Sequence, residues 1–159
     1  MISIGNEVPG FCLLDQSGKE FCLADEKGKW VVLFIYVRDS TPGCTNEAMD
    51  FQEYLPSFRQ LGAEVVGLSP DSVKSHSRFS DKLTLGYPIL SDPEHRVIEA
   101  CGFWQLKKMY GREKMGVVRS TVLMDPVGKV AYLWEKTKVK EHAKNVLDKL
   151  RELETQFNT

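Results

Sequence analysis

Residues 30 to 37 read WVVLFIYV, eight apolar residues in succession. The run is rich in β-branched and aromatic side chains and is far too short to cross a bilayer. An apolar stretch of this length without alternation reads as a strand buried on both faces. Such a strand belongs in the middle of a sheet that is covered on both sides, which points to a layered α/β architecture.

The flanking sequence fits that frame. Phe11 to Leu14 and Glu20 to Leu23 surround Gln-Ser-Gly-Lys and read as an N-terminal β-hairpin. After Pro42 the period changes: Ala48, Phe51, Leu55 and Phe58 recur at helical spacing, Gly62 ends the run, and Pro56 predicts a kink or break. Glu64 to Ser69 reads as a strand. Ser72 to Leu83 reads as a helix capped by Asp71 or Ser72. Tyr87 to Leu90 reads as a short strand and Glu94 to Ala100 as a short helix. Ser120 to Met124 and Lys129 to Trp134 flank Asp-Pro-Val-Gly as a second hairpin. Val139 to Phe157 closes the chain as a helix, with Val139, Ala143, Val146, Leu147, Leu150 and Leu153 on one stripe. The expectation is one domain over residues 1–159 with a mixed central sheet and helices on both faces.

Composition excludes several classes of partner. The formal net charge of -1 leaves no sequence-wide field for nucleic acid or an acidic membrane. The pairs and alternations at Lys107, Lys108, Lys136, Lys138 and Lys140 read as solvated surface. MISIGNEVPG has no basic segment followed by an apolar run, so no signal peptide is expected, and the expected location is the cytoplasm. Cysteines stand at positions 12, 22, 44 and 101, and no CxxC pair occurs. With His76, His95 and His142 they show no zinc-ligand spacing, and a structural disulfide framework is not expected in a reducing compartment. No glycine-rich phosphate loop is apparent.

Cys44 stands apart from the other three. In RDSTPGC, Thr41 suits the N-cap and Pro42 the first helical position, which puts Cys44 in the first turn. Peptide N–H groups there lack helical acceptors and carry partial positive charge, so a thiolate is favoured. The strand before it is the apolar run, so Cys44 lies beyond the carboxyl end of a central strand, where open α/β sheets build their sites.

Residues 36 to 48, YVRDSTPGCTNEA, resemble the active-site loop of the peroxiredoxins, most of all the bacterioferritin comigratory protein or peroxiredoxin Q subfamily. The family pattern is Pro-x-x-x-Thr-x-x-Cys. Met115 to Asp125 is similar to the family's arginine-bearing strand, and Leu90 to Pro93 with Gly102 to Trp104 supplies a third match in the expected order. The resemblance implies a thioredoxin-like fold and a thiol-dependent peroxidase acting on hydrogen peroxide or alkyl hydroperoxides. Cys44 would be the peroxidatic cysteine, Thr41 would hydrogen-bond the peroxide, and Arg119 would stabilise the thiolate and polarise the O–O bond. Glu47 would help hold the loop and the arginine. The thiol chemistry that the resemblance implies needs no metal, haem or nicotinamide, so no cofactor is expected. Thioredoxin, glutaredoxin or a small thiol would be the reductant, and relatives are often monomers or weak homodimers.

Two positions depart from the pattern. Val37 stands where the family has proline, and its β-branch favours the same extended backbone. Met49 stands where many members of the subfamily carry the resolving cysteine, five residues after the peroxidatic one. The sulfenic acid at Cys44 then has three routes back to the thiol: an outside thiol, Cys101, or one of Cys12 and Cys22 in the hairpin. The outside thiol is the expected route. A redox-sensing module on the same fold, without turnover, is the alternative function. Tyr36, Phe103 and Trp104 are expected near the loop as an apolar lining. His76 is placed on the polar face of its helix, and His95 at a helix start.

Overall fold

The computed structural model describes residues 1–157, with Met109 described for its backbone alone. The apolar run forms strand β3 (Trp30–Ile35), all six residues buried. It is the pivot of a seven-stranded sheet with β1 (Cys12–Leu14), β2 (Glu20–Cys22), β4 (Ala63–Ser69), β5 (Ile89–Ser91), β8 (Ser120–Met124) and β9 (Val130–Glu135), in the order β2-β1-β5-β4-β3-β8-β9. β3, β4 and β5 are parallel, whereas β8 runs antiparallel to β3 and β1 antiparallel to β5. The sheet is therefore mixed, and β3 is buried because it has a strand on each side and a core on each face.

The alternation along β3 sorts those cores. Trp30, Val32, Phe34 and Tyr36 pack with Ala48, Phe51, Leu55 and Phe58 of α1 (Pro42–Gln60), Phe79 of α2 (Val73–Leu83), and Val146, Leu147 and Leu150 of α4 (His142–Phe157). Val31, Leu33 and Ile35 point the other way, onto Val97, Ile98 and Cys101 of α3 (Arg96–Cys101). Helices thus cover both faces, as expected. The end of β3 matters for the site: Tyr36 still donates its N–H to Leu68, but the chain bends at Val37, which is 38% exposed.

Four expectations are corrected here. α1 runs unbroken through Pro56. Pro56 is exposed while Leu55 and Phe58 beside it are buried, so tertiary packing on the buried face holds the helix through the missing hydrogen bond. A two-stranded hairpin, β6 (Trp104–Met109) with β7 (Arg112–Val117), was not expected; Tyr110 and Gly111 link it with φ of 54° and 76°, the backbone of a tight hairpin turn. His76 is 0% exposed, because it shares the buried stripe of α2 with Phe79 and Ser80. Cys12 and Cys22 form a disulfide, so one does exist in this chain. They stand directly opposite in β1 and β2. Backbone bonds at the 11–23 and 15–19 positions leave the 12–22 pair as a non-hydrogen-bonded one, where side chains of antiparallel strands come closest.

Candidate active site

Thr41 is the N-cap residue of α1 and Pro42 its first residue, which makes Cys44 the third residue of the helix. Cys44 is 1% exposed and faces the core side of α1. Glu47 is three residues further on, hence on the same side of the helix, and is also 1% exposed. Arg119 reaches both: its Nη2 donates to Cys44 Sγ at 3.1 Å and its Nη1 to Glu47 Oε1 at 2.6 Å. The guanidinium thus forms a fork between a sulfur and a carboxylate, a geometry that a lysine ammonium would not reproduce. Arg119 does not lie on a strand. It sits in the short join between β7, which ends at Val117, and β8, which begins at Ser120, and that join lets its side chain cross to α1.

The electrostatics of the trio are those of a buried anion site. Burial pushes the Glu47 carboxyl up to about 7, with the Arg119 charge and hydrogen bond pulling the other way. Burial works against the Arg119 cation as well, but Glu47 and then Cys44 outweigh it, so its pKa rises. Glu47 Oε2 is buried without a hydrogen-bond partner in the structure, so Arg119 carries that carboxylate through one oxygen alone. In a helix that begins at Pro42, the N–H groups of Gly43 and Cys44 have no helical acceptor and add positive potential next to the sulfur.

Thr41 holds the cap position without capping: its Oγ1 donates to the Arg38 carbonyl at 2.9 Å, and no side-chain cap bond forms. The hydroxyl proton is thereby committed and the oxygen is left as an acceptor. Val37 is on the outside of the loop, and Met49 is 50% exposed on the far side of α1 from the buried stripe. Cys101 is 0% exposed in the core on the opposite face of the sheet, and burial pushes its thiol up to about 11. Cys12 and Cys22 are bonded to each other on the N-terminal hairpin.

The expected apolar lining does not assemble. Tyr36 belongs to the core that contains Cys44, and Phe103 to the core across the sheet. Trp104 stacks on His95 at 3.8 Å, and His95 occupies the helix-start position expected of it. Lys107 is not simply solvated surface: it is half-buried beside Arg119, and burial followed by the Arg119 charge lowers its pKa. Sequence reasoning also missed the polar residues beneath the loop. Asp39 lay within the matched loop but was given no role, Asp71 was read only as a helix cap, Ser75 was not singled out, and His76 was assigned to the wrong helix face. Counting 76, 79, 80 and 83 as one helical stripe would have turned His76 inward.

Comparison with known proteins accounts for this arrangement. The AhpC/TSA family profile matches residues 4–133, most of the chain. Peroxiredoxin Bcp of Bacillus subtilis is 43% identical over 152 residues, covering 96% of this chain and 97% of that protein. The chain is a peroxiredoxin of the AhpC/TSA family. Solved structures of similar peroxiredoxins agree in fold. The bacterioferritin comigratory protein of Xanthomonas campestris, described for its alkyl peroxide reduction activity, superposes with a TM-score of 0.90 at 38% identity, covering 96% of this chain and 99% of that one. Xylella fastidiosa PrxQ gives 0.91 at 34% identity, covering 96% and 97%. The fold is thus that of the thioredoxin-like peroxiredoxins, and the enzyme is a thiol-dependent peroxidase. Among the described residues no helix is long and apolar enough to cross a membrane.

Proposed function

We propose that this peroxiredoxin reduces hydrogen peroxide and alkyl hydroperoxides through Cys44. The observation that carries the assignment is the fork of Arg119, 3.1 Å from the Cys44 sulfur with its other nitrogen fixed on Glu47. The Cys44 thiolate attacks the nearer peroxide oxygen in line. The S–O bond forms as the O–O bond breaks, and the distal oxygen leaves as hydroxide or alkoxide, taking a proton to give water or alcohol. Arg119 and the first-turn N–H groups are positive donors already in place for the charge that spreads onto the oxygens. Thr41 Oγ1, its proton engaged by Arg38, accepts the peroxide O–H and so holds the substrate. Glu47 aims the arginine.

Cys44 is left as a sulfenic acid, and an outside thiol restores it. Met49 has no thiol, Cys101 lies across the sheet, and Cys12 and Cys22 occupy each other. Thioredoxin, glutaredoxin or a small thiol condenses with the sulfenic acid, releasing water, and a second thiol breaks the mixed disulfide. One observation favours a second route. In a reducing cytoplasm an exposed hairpin disulfide persists when something forms it, and Cys12 is exposed. A reduced Cys12/Cys22 pair would attack the sulfenic acid and finish as that disulfide.

The test is intact mass and peptide mapping after one equivalent of hydrogen peroxide, starting from fully reduced protein. Oxygen gained on Cys44 with Cys12 and Cys22 still reduced supports the outside thiol. Loss of two hydrogens with Cys12–Cys22 bonded, in a Cys44-dependent manner, supports the pair. Unchanged peroxide consumption in Cys44→Ser would overturn the assignment of Cys44 itself.

A further inference from the structure

We infer that His76 is a positioning residue for peroxide reduction, acting through Asp39 on the loop that carries Thr41 and Cys44; this rests on the assignment of Cys44 above. The loop between β3 and α1 is exposed at Val37, Arg38 and Ser40, yet Asp39 between them is 7% exposed and points inward. Its carboxylate is held three ways. Oδ1 accepts from the Tyr36 hydroxyl at 2.6 Å; Oδ2 accepts from Ser75 Oγ at 2.8 Å and lies 2.7 Å from His76 Nδ1. The Asp39 N–H donates to Asp71 Oδ2 at 2.8 Å, and Asp71 is held in turn by Ser69 Oγ at 2.7 Å. Burial, then the Asp39 charge, raises the Tyr36 pKa well above its ordinary value, so the phenol stays a donor.

His76 is the link to the rigid part of the molecule. It is fully buried on α2, and its Nε2 donates to the Leu90 carbonyl of β5 at 2.8 Å. One ring thus ties α2 and β5 to Asp39. The next residue, Ser40, adopts φ of 64°, a left-handed conformation that a serine holds only where its surroundings impose it. That turn brings Thr41 to the helix start and lets its hydroxyl reach Arg38. If Asp39 were released, Ser40 would relax, and Thr41 would lose its alignment with the sulfur. The peroxide step is sensitive to such shifts, because misplacement by about 1 Å costs rate even when no reacting group is lost.

Two substitutions separate the two nitrogens. In His76→Asn the amide nitrogen falls near Nδ1 and keeps a donor for Asp39. In His76→Gln it falls near Nε2 and keeps a donor for Leu90 alone. The measurement is the single-turnover rate of Cys44 oxidation by hydrogen peroxide, with thermal melting of each variant alongside. The expected result is His76→Asn within about threefold of the parent and His76→Gln slower by about tenfold, with similar melting temperatures for the two variants. Rates that fall equally in both, rates that fall in neither, or a slower asparagine variant would overturn the inference. Should both variants unfold, Ser75→Ala removes one donor to Asp39 from a half-buried site and is expected to slow oxidation about threefold without a melting shift; an unchanged rate there would overturn it. Cys44→Ser, measured in parallel, tests the underlying assignment separately, since it reports on the nucleophile and not on the loop.

Discussion

Arg119 is the residue on which the proposed peroxide chemistry rests, because one guanidinium meets both the Cys44 sulfur and the Glu47 carboxylate. Arg119→Ala is expected to slow Cys44 oxidation by about 100-fold or more, the cost of losing a fixed donor to a developing oxyanion; stopped-flow kinetics with hydrogen peroxide measures it. Glu47 yields a pH prediction. Its folded pKa of about 7 lies above the value of 4.5 expected of a free glutamate, so the folded state binds the proton more tightly. Its contribution to stability is therefore fully present below about pH 4.5 and is lost as pH rises to about 7, up to about 3 kcal/mol at the limit. Glu47→Gln should flatten that part of the melting temperature profile between pH 5 and 8, while slowing oxidation at pH 8 because Arg119 loses its ionic partner. A parallel profile in the variant would remove Glu47 as its source. At single residues the sequence was informative where chemistry is local: Cys44, Thr41 and Pro42 occupy the helix-start positions that N-cap and proline preferences assign. It was uninformative for Asp39 and His76, whose partners are 37 positions apart.

The helices and hairpins show where local preference is overruled. Proline in the interior of an isolated helix would break it, yet α1 passes through Pro56 because Leu55 and Phe58 are anchored in the core on either side. The missing bond is still a local cost. Pro56→Ala is expected to stabilise the protein by about 2 kcal/mol, somewhat less than the full proline penalty since the unfolded chain also gains freedom; chemical denaturation would show it. The start of α4 carries a second pH effect. His142 is 4% exposed, its Nε2 is 2.7 Å from Thr121 Oγ1, and burial, with a smaller contribution from the Arg119 charge, lowers its pKa to about 4. The folded state disfavours the proton, so this stability is present above the ordinary histidine value of 6.5 and is lost as pH falls towards 4. Melting between pH 7 and 4 should lose that slope in His142→Gln. The β6–β7 hairpin went unread because β7 is polar and largely exposed and β6 is interrupted by Lys107 and Lys108, which leaves no sustained apolar alternation; the Tyr110–Gly111 turn was its one signal.

Across the whole molecule, the fold keeps Cys44, Cys101 and the bonded Cys12–Cys22 pair in three separate places. Cys44 and Cys101 lie in cores on opposite faces, and Cys12 and Cys22 close on each other at the hairpin beyond β5. If an outside thiol restores Cys44, the double variant Cys12→Ser, Cys22→Ser should turn over peroxide with an external thiol at the parent rate. A loss of turnover with the first oxidation step intact would move resolution to the hairpin. This separation could not be read from spacing, because neither sequence distance nor neighbouring residue types place one sulfur relative to another.

Period and local backbone chemistry carry far in this chain. The unbroken apolar run makes β3 central because an all-apolar strand must be covered on both faces. The change of period after Pro42 makes α1, and the Thr-Pro start puts Cys44 in its first turn, whatever the rest of the fold does. The pairing of Cys12 with Cys22, the crossing of Arg119 to Glu47 and Cys44, and the burial of His76 under the loop belong to the folded molecule alone. The disulfide needs only the register of its own hairpin, which the residue pattern does not fix, whereas the other two contacts join distant elements and depend on strand order and helix orientation, which no short stretch of sequence encodes.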